Sequence, residues 1–202
     1  GGDRGHTVGV KAVKGGLGVS TLAANHGITL RARTKKEVII AEYRPGEGSI
    51  SLDLGYTRPE GLNRLLQRKP SEITAAEVEK ELVTHNSGVR LLLASYMPQD
   101  ARYSIVTDAF EAITHQLAFM ANFIVLDLGP GLSPITEKVL SLCDDVIVVI
   151  EPVPYTILRT KALIEILLER GFGEGRTNLV LINRNRSELQ LSWAQVKDQL
   201  GY

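Results

Sequence analysis

Short, continuous apolar runs recur along the chain, each followed by a polar or glycine-rich break. The runs over 7–13, 38–41, 89–94, 123–126, 146–150 and 179–182 read as strands. They are apolar without alternation, the pattern of a strand buried on both faces. Between them, apolar positions repeat at helical spacing, which predicts helices over 22–32, 61–67, 75–82, 101–120, 136–142, 155–170 and 190–200. Over 101–120, Ile105, Ala109, Ile113 and Leu117 fall at steps of four. The helix over 155–170 stops at Gly171, a residue suited to a helix end. Residues 42–57 read as a long polar loop, punctuated by Pro45, Gly46, Gly48 and Gly55, and His85-Asn86-Ser87-Gly88 reads as a turn. Alternating strands and helices predict an α/β fold: a doubly wound, mostly parallel sheet with helices on both faces. Ligands of such sheets bind at the carboxyl ends of the strands. Lys14, Glu42, Asp127, Glu151 and Asn183 all fall at such ends.

The first strand runs into Lys14-Gly15-Gly16-Leu17-Gly18-Val19-Ser20-Thr21, and a helix follows. A strand, a glycine-rich turn and a helix are the parts of a phosphate-binding loop. Glycines let the backbone turn tightly and approach a ligand. Backbone N–H groups then converge at a helix N-terminus, where the dipole also favours an anion. The stretch Gly15, Gly16, Leu17, Gly18, Val19, Ser20 and Thr21 is the expected cradle; the alternative is a tight turn without a ligand. In the standard G-x-x-x-x-G-K-[ST] pattern, Val13 stands at the first glycine and Val19 at the lysine. Losing that lysine removes about 1–4 kcal/mol of attraction to the outer phosphates at ~4 Å. Ser20 sits where the loop hydroxyl would hold Mg²⁺, or else satisfies a free amide at the helix start. Asp127 closes an apolar strand before Leu128-Gly129-Pro130-Gly131. There it suits a carboxylate that holds Mg²⁺ through water, or a cap for the next turn.

Composition narrows the function. The chain has 202 residues and is 44% hydrophobic, enough for one domain with a full core. Residues 1–6 read as a linker or expression remnant. Lys+Arg and Asp+Glu number 23 each, so no net basic field draws the chain to nucleic acid. One cysteine, Cys143, excludes an internal disulfide and suits a reducing cytoplasm. No run approaches the ~18 apolar residues of a membrane span. The four histidines show no metal-ligand spacing.

Lys14-Gly15-Gly16-x-Gly18 resembles the deviant Walker A loop of the MinD/ParA superfamily of P-loop NTPases, and the order of elements resembles that superfamily over nearly the whole chain. Within it the chain looks most like the CpaE/TadZ group of pilus-assembly and localisation proteins. That likeness rests on Gly48-Ser49-Ile50-Ser51-Leu52-Asp53-Leu54-Gly55, Thr84-His85-Asn86-Ser87-Gly88-Val89, Glu151-Pro152 and Asn183-Arg184. The resemblance implies ATP or ADP with Mg²⁺ bound between two protomers of a homodimer. It implies that Lys14 reaches the partner's nucleotide and that Asn183 meets the adenine. It also implies two acidic residues at the end of the second strand, one of which positions the attacking water. Here that stretch is Glu42-Tyr43-Arg44: one carboxylate remains and the other is an arginine. Lys14, Glu42 and Asp127 are thus the expected catalytic residues, with Ser20 and Asp127 at the metal. Arg44 either faces solvent or supplies the charge that Val19 lacks. The CpaE/TadZ group commonly carries a receiver-like domain first, and this chain starts as a domain excised from a longer protein would. With Val19 and Arg44 changed together, the expectation is a degenerate domain serving a pilus or secretion machine, with weak nucleotide binding and little hydrolysis. The rivals are an active ATPase switch and a ParA-like DNA-partition factor, the latter disfavoured by the balanced charge.

Overall fold

The structure is a computed structural model that describes residues 3–182, 198, 200 and 201. Seven strands, β1 (His6–Ala12), β2 (Val38–Glu42), β3 (Val83–Thr84), β4 (Arg90–Leu92), β5 (Phe123–Pro130), β6 (Asp145–Ile150) and β7 (Thr177–Leu181), join in one sheet. Their order is β3-β4-β2-β5-β1-β6-β7, parallel throughout except where β3 meets β4. All six predicted strands are present. Among the described residues the helices with assigned bounds are α1 (Val19–Thr34), α2 (Ile50–Leu54), α3 (Gly61–Leu66), α4 (Ala75–Glu81), α5 (Thr107–Leu117), α6 (Pro134–Val139) and α7 (Pro154–Glu169). Among the described residues none is long and apolar enough to cross a membrane. The predicted helix over 190–200 and the candidate residue Asn183 fall, but for 198 and 200, outside the described residues.

Two apolar cores lie on opposite faces of the sheet. One packs Val8, Val10, Val38, Ile40 and Val125 against α1 and Ile50 of α2. The other packs Ile39, Ala41, Leu126 and Val148 against α3 to α7. Alternate residues of each strand therefore enter different cores, which is why the strands are apolar without interruption. Helix α1 lies close on its face because its buried residues include Ala23, Ala24 and Gly27. A Cβ at Gly27 would stand only 2.5 Å from the Ile40 side chain.

Two predictions are corrected, and one element had not been predicted. The helix expected over 101–120 is shorter: Pro98–Ile105 is a 3₁₀ turn and α5 begins at Thr107. Ile105 fits the helical spacing by coincidence and is 79% exposed. The turn is set from outside the spacing, by Pro98 at its start and by a 2.6 Å hydrogen bond from Ser95 Oγ to Asp100. The loop over 42–57 contains α2, whose first amides are held by a distant carboxylate described below. Finally, β3 forms a hairpin with β4 that its two residues were too few to signal. The turn joining them is the predicted one, closed by His85 N–H to Val89 O at 2.8 Å, with Gly88 at φ +90°.

Gly48 is the tightest point of the loop after β2. Its N–H donates to Ser95 O, and an added Cβ would lie 2.2 Å from the backbone oxygen of Ala94. Backbone cannot swing aside as a side chain does. Gly48→Ala should therefore cost about 1–3 kcal/mol in urea unfolding.

Candidate phosphate site

Helix α1 begins directly at the loop after β1. Gly18 is its N-cap at φ +76°, and Gly16 lies at φ +78°; L side chains rarely adopt either value. The loop thus turns the chain from strand to helix within six residues. Residues 15–21 line a cleft of about 210 Å³ together with Arg44, Ser49 and Pro130. The predicted cradle of Gly15, Gly16, Leu17, Gly18, Val19, Ser20 and Thr21 is accordingly one continuous wall. Val19 is buried in the α1 core as well as lining the cleft. No cation extends from its position.

Strand register builds the floor. Glu42 at the end of β2 pairs with Asp127 on β5, and Val10 of β1 pairs with Asp127 on its other side. Both carboxylates are fully buried. Asp127 accepts a short hydrogen bond from Ser20 Oγ and another from the Gly129 N–H at 3.1 Å. Burial raises its pKa, and Ser20, Arg44 and the Gly129 amide oppose that rise. A hydrogen bond to a buried charge is worth about 1.5–3 kcal/mol, so the Ser20 bond fastens the start of α1 to β5.

Glu42 does different work. Its Oε2 accepts the N–H groups of Ser49 (2.9 Å) and Ile50 (3.0 Å), and its Oε1 accepts that of Ala94 (3.1 Å). It caps the first turn of α2 and ties that helix to the end of β4. Burial pushes its pKa up to about 7, against the pull of these three amides. These surroundings suit a fastening carboxylate. A residue that positions attacking water needs an oxygen facing the cleft, and Glu42 does not line it.

Arg44 does line the cleft. Its Nη1 donates to Ser20 Oγ at 3.3 Å and its Nη2 to Glu47 at 3.2 Å. Its side chain lies over Gly129, where an added Cβ would come within 2.9 Å of Nε. That Nε is buried and has no hydrogen-bond partner among the described residues. Arg44 is thus not a solvent-facing loop residue. It also changes what the predicted metal ligands offer. Ser20 Oγ already donates to Asp127 and accepts from a guanidinium. Both Asp127 oxygens already accept hydrogen bonds. The hydroxyl that would ligate Mg²⁺ faces a fixed positive charge, so the residues present fit a phosphate better than a metal ion.

Lys14 turns the other way. Its Nζ donates to Tyr155 Oη at 2.6 Å and pairs with Glu151 at 3.2 Å, with the Tyr155 ring centroid 5.0 Å away. The hydrogen bond to Tyr155, then that to Glu151, raises its pKa. The lysine therefore rests on the first turn of α7 within its own chain.

One site residue is absent from the sequence predictions. Lys11 of β1 is fully buried on the face of the sheet opposite α1. Its Nζ donates to Thr136 Oγ1 at 2.8 Å and to the backbone oxygens of Leu128 (3.3 Å) and Gly129 (3.4 Å). It props the loop after Asp127 from behind. The available signal was a lone charge inside an apolar strand.

Comparison with known proteins adds the fold and a remote sequence similarity. No family model matches the chain. A ParA family protein of Mycoplasma genitalium is 26% identical over 182 residues, 84% of this chain and 66% of that protein. The chain thus spans just under two thirds of the length of the curated relatives it matches. The ParA family ATPase of Chlorobium tepidum superposes with a TM-score of 0.80 at 18% identity, covering 97% of this chain and 81% of that one. The fold is that of the MinD/ParA P-loop NTPases. MinD of Pyrococcus horikoshii, solved with Mg-ADP, superposes with a TM-score of 0.76 at 17% identity, covering 96% and 76% of the two chains.

The buried lysine gives a pH test. Desolvation lowers its pKa from the usual 10.5 to about 8, despite Asp127 and Cys143 favouring the charge; Arg44 adds to the lowering. Burial pushes the neighbouring Cys143 thiol up to about 12. Between pH 8 and 10.5 the unfolded chain binds more protons at Lys11 than the folded one. Stability from this group therefore rises with pH across that window, by up to about 3 kcal/mol. In urea titrations at a series of pH values, the difference between wild type and Lys11→Met should carry this rise.

Proposed function

We propose that this chain is a MinD/ParA-type domain that binds the phosphates of ATP or ADP weakly and hydrolyses ATP slowly or not at all. The observation carrying this reading is the cleft itself: an intact glycine cradle at a strand's carboxyl end whose lysine position holds buried Val19. Phosphoryl transfer is catalysed chiefly by positioning and charge stabilisation. Here the loop lysine is absent and Glu42 is engaged by three backbone amides, so the hydrolytic set is depleted while the cradle remains.

Within the superfamily we read the domain as CpaE/TadZ-like, serving localisation or assembly of a type IV pilus or secretion machine as a homodimer. The sequence resemblance at residues 48–55 and 84–89 supports this subgroup. The turn over 85–88 and helix α2 give those stretches a defined shape. Attachment to a pole or membrane would then come through partner proteins. In a dimer, Lys14 would have to leave Tyr155 and Glu151 to reach a neighbouring nucleotide.

A second reading, an active ATPase switch of the same fold, draws on the ATPase named among the structural neighbours. The two separate on phosphate release from labelled ATP. The first expects turnover well below about one per minute; a rate at or above that of slow NTPase switches supports the second. The cradle reading makes its own prediction. Val19→Lys adds a cation to a formed phosphate site and should tighten ADP binding about tenfold or more, measured by calorimetry. Unchanged affinity would mean that the loop holds no phosphate.

A further inference from the structure

We propose that Arg44 is the phosphate-gripping cation of this cleft, acting from within the same chain and in place of both the loop lysine and a divalent metal ion. The inference rests on the phosphate reading above and assigns the charge that reading lacks.

Four observations place it. Arg44 lies two residues beyond Glu42, in the loop after β2, and lines the cleft together with the cradle. Its Nη1 stands 3.3 Å from Ser20 Oγ, the hydroxyl at the first turn of α1. Its Nε is buried against Gly129 without a hydrogen-bond partner among the described residues, so the guanidinium is held by packing on that edge and has its two Nη groups for the cleft. Its stem crosses Gly129, where any side chain would collide with it; the φ of +66° there favours glycine as well. The guanidinium is therefore packed against both walls of the cleft, the start of α1 and the end of β5. A planar fork of donors in that place matches a phosphate's oxygens.

The same position disfavours a metal. A Mg²⁺ ligand stands about 2.1 Å from its ion, and Mg²⁺ demands near-ideal octahedral geometry. Ser20 Oγ has its proton committed to Asp127 and one lone pair to Arg44. An ion on the remaining lone pair would sit beside the guanidinium, with like charges facing across one oxygen. The outer-phosphate charge is thus met by Arg44. Glu47, which holds the other end of the guanidinium from an exposed position, keeps it in reach without burying a third carboxylate.

Calorimetry with ADP tests this on the wild-type chain, in excess Mg²⁺ and in excess EDTA. The affinities should agree within about threefold. Arg44→Ala should weaken ADP binding about tenfold or more in EDTA, and Arg44→Lys less, since it keeps the charge and loses the fork. Thermal melts identify folded variants, and Arg44→Gln replaces Arg44→Ala if the latter does not fold. A structural role alone would leave the Mg²⁺-to-EDTA ratio of the wild type at the large value of a metal-dependent site. Such a ratio, or wild-type affinity in folded Arg44→Ala, overturns the proposal. If only Val19→Lys binds ADP, the cradle stands and Arg44 is not its cation. If neither it nor the wild type binds, both readings fall.

Discussion

Two carboxylates lie side by side in the sheet, Glu42 and Asp127, in register and sealed from water. Buried charges are tolerated only where partners satisfy them. Much of the local architecture answers that demand. Glu42 collects three backbone amides, which fixes α2 and the end of β4. Asp127 takes the Ser20 hydroxyl and the Gly129 amide, which fixes the start of α1 and the end of β5. Lys11 from behind and Arg44 from in front supply two positive charges near these two negative ones. The cleft is thus bounded by groups already committed to one another, and its shape does not wait for a ligand.

Much of this was legible in the sequence. Uninterrupted apolar runs identified every long strand, because strands buried on both faces leave little room for polar residues. The glycines at 16 and 18 marked the turn that only they fill easily. What escaped shares one cause: it depends on contacts between segments distant in the chain. Helix α2 has five residues and no apolar period long enough to read; it exists because Glu42, eight residues before its first amide, caps it. Ile105 obeyed the helical spacing while lying on a separate turn. Lys11 was hidden in a strand that looked apolar on average. The direction of Arg44 was undetermined because an arginine after a strand can face water or a site with equal ease; packing over Gly129 decides it.

The distribution of charge differs from what the loop pattern predicts. A lysine on the cradle would approach phosphate from the helix side. Here that position is aliphatic and belongs to the core, while a cation lies on the loop after β2, two strands away in the sheet. Moving a charge between elements alters more than its address. On the cradle, it would be carried by the same helix whose dipole already faces the anion. On the β2 loop, its placement depends on the segment that Glu42 anchors, so the cation and the scaffold are mechanically joined.

The hairpin that closes the sheet has a consequence of another kind. Unpaired strand edges are templates on which other chains add strands and aggregate. On one side this sheet ends in β3, only two residues long, turning sharply at Gly88 and running against the direction of its neighbours. Arg90 on the adjoining strand carries a guanidinium ion-paired with Glu79. An incoming strand would find two residues of backbone, the wrong polarity for continuing a parallel sheet, and charge beside it. That margin of the molecule is protected against stacking into fibres, leaving its crowded centre free to specialise.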